Sequence, residues 1–234
     1  MKLLAITPIA VSSEELSRRQ ARYARLCPPG VTIRLEALGS GSDIPRALDT
    51  PEDIEASEQA LLHRFRAADP TGVDAFLPDC VLDPTVDVTE AGFSRPVLGL
   101  LKLTGHVLAG QGLRVGALAR NEAIASELDR KYASYGLAPI VGGTRVLGLS
   151  VEDIADDEAW QSAVERRLGD TDVDVAINGC SAVEVNPSGR RPVVVDPTAV
   201  ALQLLGLHQR TLGDLLPVPA GHPRGERIHS TDVR

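Results

Sequence analysis

Aromatic residues make up only 3% of this 234-residue chain, so its interior has to be built from aliphatic side chains. Val, Leu, Ala and Ile fill that role, a composition suited to parallel strands buried on both faces. Basic charge is also in short supply. Lys and Arg number 24 against 32 Asp and Glu, a net charge of −8, which argues against nucleic-acid or anionic-membrane partners because both need a basic surface. An Arg-rich pocket inside an acidic protein stays compatible with that balance. No segment reaches the roughly 18 to 20 unbroken apolar residues that a membrane span requires. Three cysteines, an odd number, do not describe a disulfide framework, and a reducing cytoplasmic location is the simpler expectation. The opening Met1 to Val11 has a short apolar run interrupted by Pro8 and leads into a helix start at Ser12, so it reads as a first strand and not as a signal peptide.

What the chain does have is a strand written twice, each time ending in cysteine. Val73 to Cys80 reads VDAFLPDC and Val173 to Cys180 reads VDVAINGC, with the two cysteines 100 residues apart. Each copy is followed by a second shared string, Arg95-Pro96-Val97 and Arg191-Pro192-Val193. The segment from Lys2, KLLAITPIAVSSEEL, lies on the segment from Arg114, RVGALARNEAIASEL, at an offset of 112. A duplicated half-domain follows, and when two such halves face each other their equivalent strand ends meet across the cleft.

Short apolar runs bounded by turn residues alternate with longer helical patterns, the mark of βαβ units around a parallel sheet. Strands are expected over 2–6, 31–38, 73–77, 97–100, 113–118, either 138–142 or 145–149, 174–177 and 192–195. Helices are expected over 13–25, 52–67, 103–109, 122–135, 150–168 and 197–207. The fold class is α/β, with two pseudo-symmetric lobes, each a mainly parallel sheet flanked by helices, and the site in the cleft between them. The first lobe takes residues 1–99 plus 196–216 and the second 100–195. The tail, 217–234, is rich in Pro, Gly, His and Arg, lacks apolar periodicity, and is expected to be loosely ordered or to pack on a neighbouring subunit of a homo-oligomer.

The candidate chemistry sits in the strand-to-helix turns. Cys180 precedes Ser181-Ala182-Val183-Glu184, an S-x-x-E capping box that predicts a helix immediately after the thiol, whose amide dipoles favour the thiolate. After Cys80, Asp83 is placed to cap a helix with Pro84 at its first position, and it is also expected to border a bound substrate. Asp79 and Asp83 beside Cys80 raise its pKa, which suits a thiol that must hold its proton. The loops after the first strand of each lobe, with Thr7, Pro8 and Ile9 in one and Ala119, Arg120 and Asn121 in the other, are expected to reach a small-molecule substrate. Arg120 suits a substrate carboxylate or carbonyl, and the backbone amides of Val81 and Ser181, with Leu82 and Ala182 beside them, suit a developing oxyanion. Cys27 has no counterpart in the other half and is read as structural.

Other chemistries find little support. Gly39-Ser40-Gly41-Ser42 reads as a plain turn, because Pro45 follows and no helix opens at once. The histidines show no metal-ligand spacing, the G-x-S-x-G elbow of a serine hydrolase is missing, and nothing demands a cofactor or metal.

At these residues the chain resembles the aspartate/glutamate/hydantoin racemase superfamily, and its hydantoin racemase-like branch in particular. DAFLPDCVLDPTVD and the following PVLGLLKLTGHVLA are similar to that branch's first cysteine motif and the segment after it. INGCSAVEV stands in the place of the second motif, and PVVVDPTAVALQLL resembles the closing strand and helix. Leu82 and Ala182 stand where the motifs usually have glycine, and Thr7-Pro8-Ile9-Ala10 replaces the usual Asn-Pro-Asn-Thr. The resemblance implies a cofactor-independent isomerase, a racemase or epimerase, in which Cys80 and Cys180 work on opposite faces of a carbon acidified by a carbonyl. A single-cysteine decarboxylase or lyase, a cis-trans diacid isomerase, a redox pair and a small-molecule binding protein are the alternatives.

Overall fold

The computed structural model describes residues 1–39, 41, 43–86, 92–168, 171–185 and 191–212. The tail at 217–234, Ser40, Ser42, His222 and His229 lie outside the described residues.

Every strand is parallel to its neighbours, and the strands fall into two sheets. β1 (Lys2–Ile6) sits between β2 (Thr32–Glu36) and β3 (Ala75–Pro78). The second sheet has the order β5 (Arg145–Val146), β4 (Val115–Ala119), β6 (Val175–Asn178), β7 (Val193–Val195). β3, β4 and β6 are buried along their whole length, as strands covered on both faces must be. Alternation along β1 shows how the first sheet is sandwiched: Leu3 and Ala5 face one apolar cluster with Tyr23, Ala201 and Leu202, while Leu4 and Ile6 face another with Leu61 and Phe65. Those clusters place α1 (Ser13–Leu26), α3 (Leu100–Gly110) and α6 (Pro197–Leu212) on one side and α2 (Pro51–Arg66) on the other. In the second sheet, β4 packs Ala117 and Ala119 with α4 (Glu122–Ser134), and Leu118 with Trp160 and Val164 of α5 (Asp157–Arg167). No described helix is long and apolar enough to cross a membrane.

The sequence repeat is physically equivalent in the two sheets. The backbone N–H of Lys2 donates to the Asp74 carboxylate at 2.7 Å while the Asp74 N–H donates to the Lys2 carbonyl at 2.8 Å. Arg114 and Asp174 make the same reciprocal pair, both bonds at 2.9 Å. The repeated Asp is thus a clamp between the start of the central strand and the start of the cysteine-bearing strand, and it fixes the register of both. The two Arg-Pro-Val strings also land alike, Val193 pairing with β6 and Val97 bridging β3 at Phe76.

Three expected elements are corrected. The strand at 97–100 shrinks to that one bridge, because the chain enters α3 at Leu100, before the expected start at Leu103. The early start has a cause elsewhere: Gly99 offers no side-chain cap, and the Asp83 carboxylate accepts from the amides of Leu101 and Lys102 at 3.0 and 2.8 Å. The single helix expected over 150–168 is a 3-10 turn at Glu152–Ala155 followed by α5, since Asp156 caps α5 by accepting from the N–H groups of Glu158 and Ala159. No helix follows either cysteine within the described residues; 81–86 and 181–185 are turns.

Candidate active site

Parallel pairing sets Ile6 beside Pro78 and Leu118 beside Asn178, so in each sheet the loop leaving the central strand emerges next to the loop carrying a cysteine. All four loops border one cavity of about 60 Å³, several times the room that one water molecule needs. Cys80 and Cys180 both line it, with Val81 and Leu82 after the first thiol and Ser181 and Ala182 after the second. Pro8 and Arg120 close it from the central strands.

Thr7, Asp83 and Asn121, expected to bind substrate, do not line this cavity. The Thr7 hydroxyl donates to the Ile9 carbonyl and accepts from the Leu38 N–H, fixing the loop after β1. Asn121 caps α4 by accepting from Ile124, and its amide donates to the Leu48 carbonyl at 2.8 Å and to Asp49 at 3.1 Å. Asp83 turns away to α3 and accepts from the Tyr135 hydroxyl at 3.0 Å. It holds a left-handed backbone (φ 50°), as does Thr85 (φ 66°), a conformation non-glycine residues keep only where the surroundings impose it. Those surroundings include Lys131, whose ammonium donates to the Asp83 carbonyl, and Glu58, which accepts from the Thr85 N–H. The acid is therefore a cap, as expected, but of a helix that begins after Gly99.

Around the thiols the two halves place each sulfur alike in the repeat and differ in charge. In each turn the backbone amide two residues on, of Leu82 or Ala182, favours the thiolate. Burial pushes the Cys80 thiol up to about 12, opposed by the Leu82 amide and reinforced by Asp79 and Asp83. Burial also raises Cys180, but there the Ala182 amide and the Arg19 guanidinium pull the other way. At Cys180 the expected lowering by a helix dipole is thus replaced by a net rise, because no helix opens there and the low-dielectric surroundings dominate, whereas at Cys80 the rise expected from Asp79 and Asp83 has burial as its larger cause.

Sequence reasoning missed Arg19. It sits on α1 with a side chain 7% exposed, pairs with Glu15 at 2.6 Å and Asp79 at 3.1 Å, and lines the cavity. Burial opposes its charge, but Asp79 and Glu15 outweigh that and hold the guanidinium firmly cationic. Asp79 in turn accepts from the Tyr23 hydroxyl at 2.7 Å. Arg120, 5% exposed, is no solvated surface residue: it meets Asp49 at 2.7 Å and donates to the Leu48 carbonyl at 3.2 Å, pinning the segment whose Leu48 also lines the cavity. On the far side, Asn178 donates to the Cys180 carbonyl at 2.9 Å and accepts from the Trp160 ring N–H at 3.1 Å. All three cysteines are free.

The model of the Asp/Glu/Hydantoin racemase family matches residues 3–205. The chain belongs to this family. Its fold is like that of the allantoin racemase from Pseudomonas fluorescens, with a TM-score of 0.74 and 15% identity over 97% of this chain and 99% of that one. The allantoin racemase from Klebsiella pneumoniae gives 0.71 and 16%, covering 97% and 95%. An arylmalonate decarboxylase of the same fold gives 0.58 and 20%, covering 88% and 93%. At these identities the likeness is one of fold, and no curated protein sequence matches the chain significantly. Membership of this family accounts for the two parallel sheets flanked by helices.

Proposed function

We propose that the protein is a cofactor-independent racemase or epimerase in which Cys80 and Cys180 exchange a proton with a carbon next to a carbonyl. The observation that carries this reading is that both thiols, each at the same place in its repeat, border one cavity. One thiolate takes the proton: the C–H bond breaks, an S–H bond forms, and the electron pair moves onto the carbonyl oxygen as an enolate. The opposite thiol then gives its proton to the other face of the planar carbon and becomes the thiolate. Backbone amides of the turns, at Val81 and Ser181, are the donors on hand for the enolate oxygen, a stabilisation commonly of about 3 kcal/mol per donor. Pro8, Ile9, Leu48, Val151 and Ile154 give the cavity an apolar wall, which keeps water from a carbanion. A reducing, cytoplasmic setting keeps both sulfurs as thiols.

The test is solvent deuterium exchange across a panel of hydantoins, free amino acids and malonate-type acids, read by NMR. Exchange at one carbon with loss of optical activity supports the reading and names the substrate class. Release of carbon dioxide from a prochiral malonate with no racemisation of any member would replace it with a single-cysteine decarboxylase.

A further inference from the structure

The two thiols stand at the same place in their repeats, yet α1 treats them differently. Four arginines stand on this one helix, at 18, 19, 22 and 25, and three of them grip the turn that carries Cys180. Arg18 donates to the Ala182 carbonyl at 2.9 Å, and Arg22 donates to the Val183 carbonyl at 3.1 Å and pairs with Asp196 at 2.6 Å. Arg25 pairs with Glu184. The fourth, Arg19, points its buried guanidinium into the cavity that Cys180 borders. On the Cys80 side α1 reaches Asp79, through Arg19 and Tyr23, and the turn carries two carboxylates, Asp79 and Asp83, the second fixed by α3 and Tyr135.

We propose that Arg19 is a positioning residue that makes the cysteine pair unequal, so that Cys180 gives up its proton first and Cys80 keeps its own. This rests on the two-cysteine reading above for its use in catalysis, though not for its measurement. The charged and titratable groups facing Cys180 are Arg19 and Arg22 from α1, Asp79 and Cys80 from the end of β3, Arg120 from the end of β4, and Glu184 and Asp196 from its own side. Glu184 is paired to Arg22 and Arg25, Asp196 to Arg22 and Arg120 to Asp49. Arg19 is paired as well, but its two carboxylates lie on α1 and at the end of β3, and they hold its buried guanidinium on the wall of the cavity that Cys180 also lines. A cation close to a thiol favours the thiolate, and carboxylates close to the other thiol favour its protonated form. The pair is therefore ordered, with Cys180 the first to serve as base and Cys80 the one that stays an acid, the arrangement that a two-face proton transfer needs at its start.

The experiment is the pH dependence of iodoacetamide alkylation on the full-length chain, read separately for Cys27, Cys80 and Cys180 by peptide mass spectrometry without substrate. In the native protein the midpoint of Cys180 lies below that of Cys80. Arg19→Gln raises the Cys180 midpoint by about one pH unit, roughly tenfold less alkylation on the rising limb, and leaves Cys27 where it was. Arg19→Lys, which keeps the charge, holds the native order. An unmoved Cys180 midpoint in Arg19→Gln overturns the proposal. Should that variant fail to fold, the native order decides, and Cys80 ionising before Cys180 refutes it. Racemisation surviving loss of either cysteine would end the functional reading while leaving this ionisation order intact, so the two failures are distinguishable.

Discussion

The Ser181 hydroxyl donates to the backbone carbonyl of Asp79 at 2.9 Å, tying the residue after one cysteine to the residue before the other. Ser181 was expected to cap a helix of its own, and it holds the two halves of the site together instead. This buried bond joins the two cysteine turns directly. Ser181→Ala removes it at a cost of about 1 kcal/mol, read as a lowered urea midpoint with an unchanged m-value. The turnover of whichever substrate the exchange panel identifies falls by more than the stability loss explains, because the sulfurs lose their fixed separation.

Asn121 does two jobs that one substitution separates. Asn121→Asp keeps the oxygen that caps α4 and places a carboxylate against the Leu48 carbonyl and Asp49, where the amide now donates. Hydrogen exchange across 43–49 speeds up while global stability holds. In Asn121→Ala the cap is lost too, and stability drops by about 1 kcal/mol.

Asp83 gives a pH signature. Burial pushes its carboxyl up to about 6, against the amides of Lys102 and Leu101 and the Tyr135 hydroxyl. A carboxyl whose pKa is higher folded than unfolded binds more protons in the native state, so its contribution to stability is full below the unfolded value near 4 and is lost as pH rises through about 6. The stability of the native protein relative to Asp83→Asn, measured by urea titration, therefore falls from pH 4 to pH 7. A difference that grows over that range would contradict the account.

The strands were legible because burial on both faces leaves short, continuous apolar runs, as in VGALA and AFLP. The cysteine pair was legible because the repeat placed both at one position of one motif, a signal that a lone thiol does not carry. What stayed hidden depends on distant partners. The start of α3 is set by a carboxylate at Asp83, which no local pattern around Leu100 reveals. Glu15 and Arg19 have the spacing of an ordinary exposed helix pair, and only the fold brings Asp79, 60 residues on, to bury that arginine beside a thiol. The available clue was composition: four arginines crowded on one helix of an acidic chain. Glu184, read as half of a capping box, was recruited by two of them.

Because burial raises both thiols, and Cys80 to about 12, activity should follow the ionisation of Cys180 alone over the working range. For the substrate identified in the exchange panel, kcat/KM rises with pH through the alkaline range, and the falling limb, set by Cys80, lies beyond it. A maximum at or below pH 7 would contradict this assignment.

The central claim is that two sulfurs serve opposite faces of one carbon, and single-cysteine variants in deuterated water test it most directly. Cys80→Ala should no longer racemise but should still exchange the proton of one enantiomer without inverting it, and Cys180→Ala should do the same for the other. Undiminished racemisation in either variant, or exchange of the same enantiomer by both, would contradict the two-face scheme.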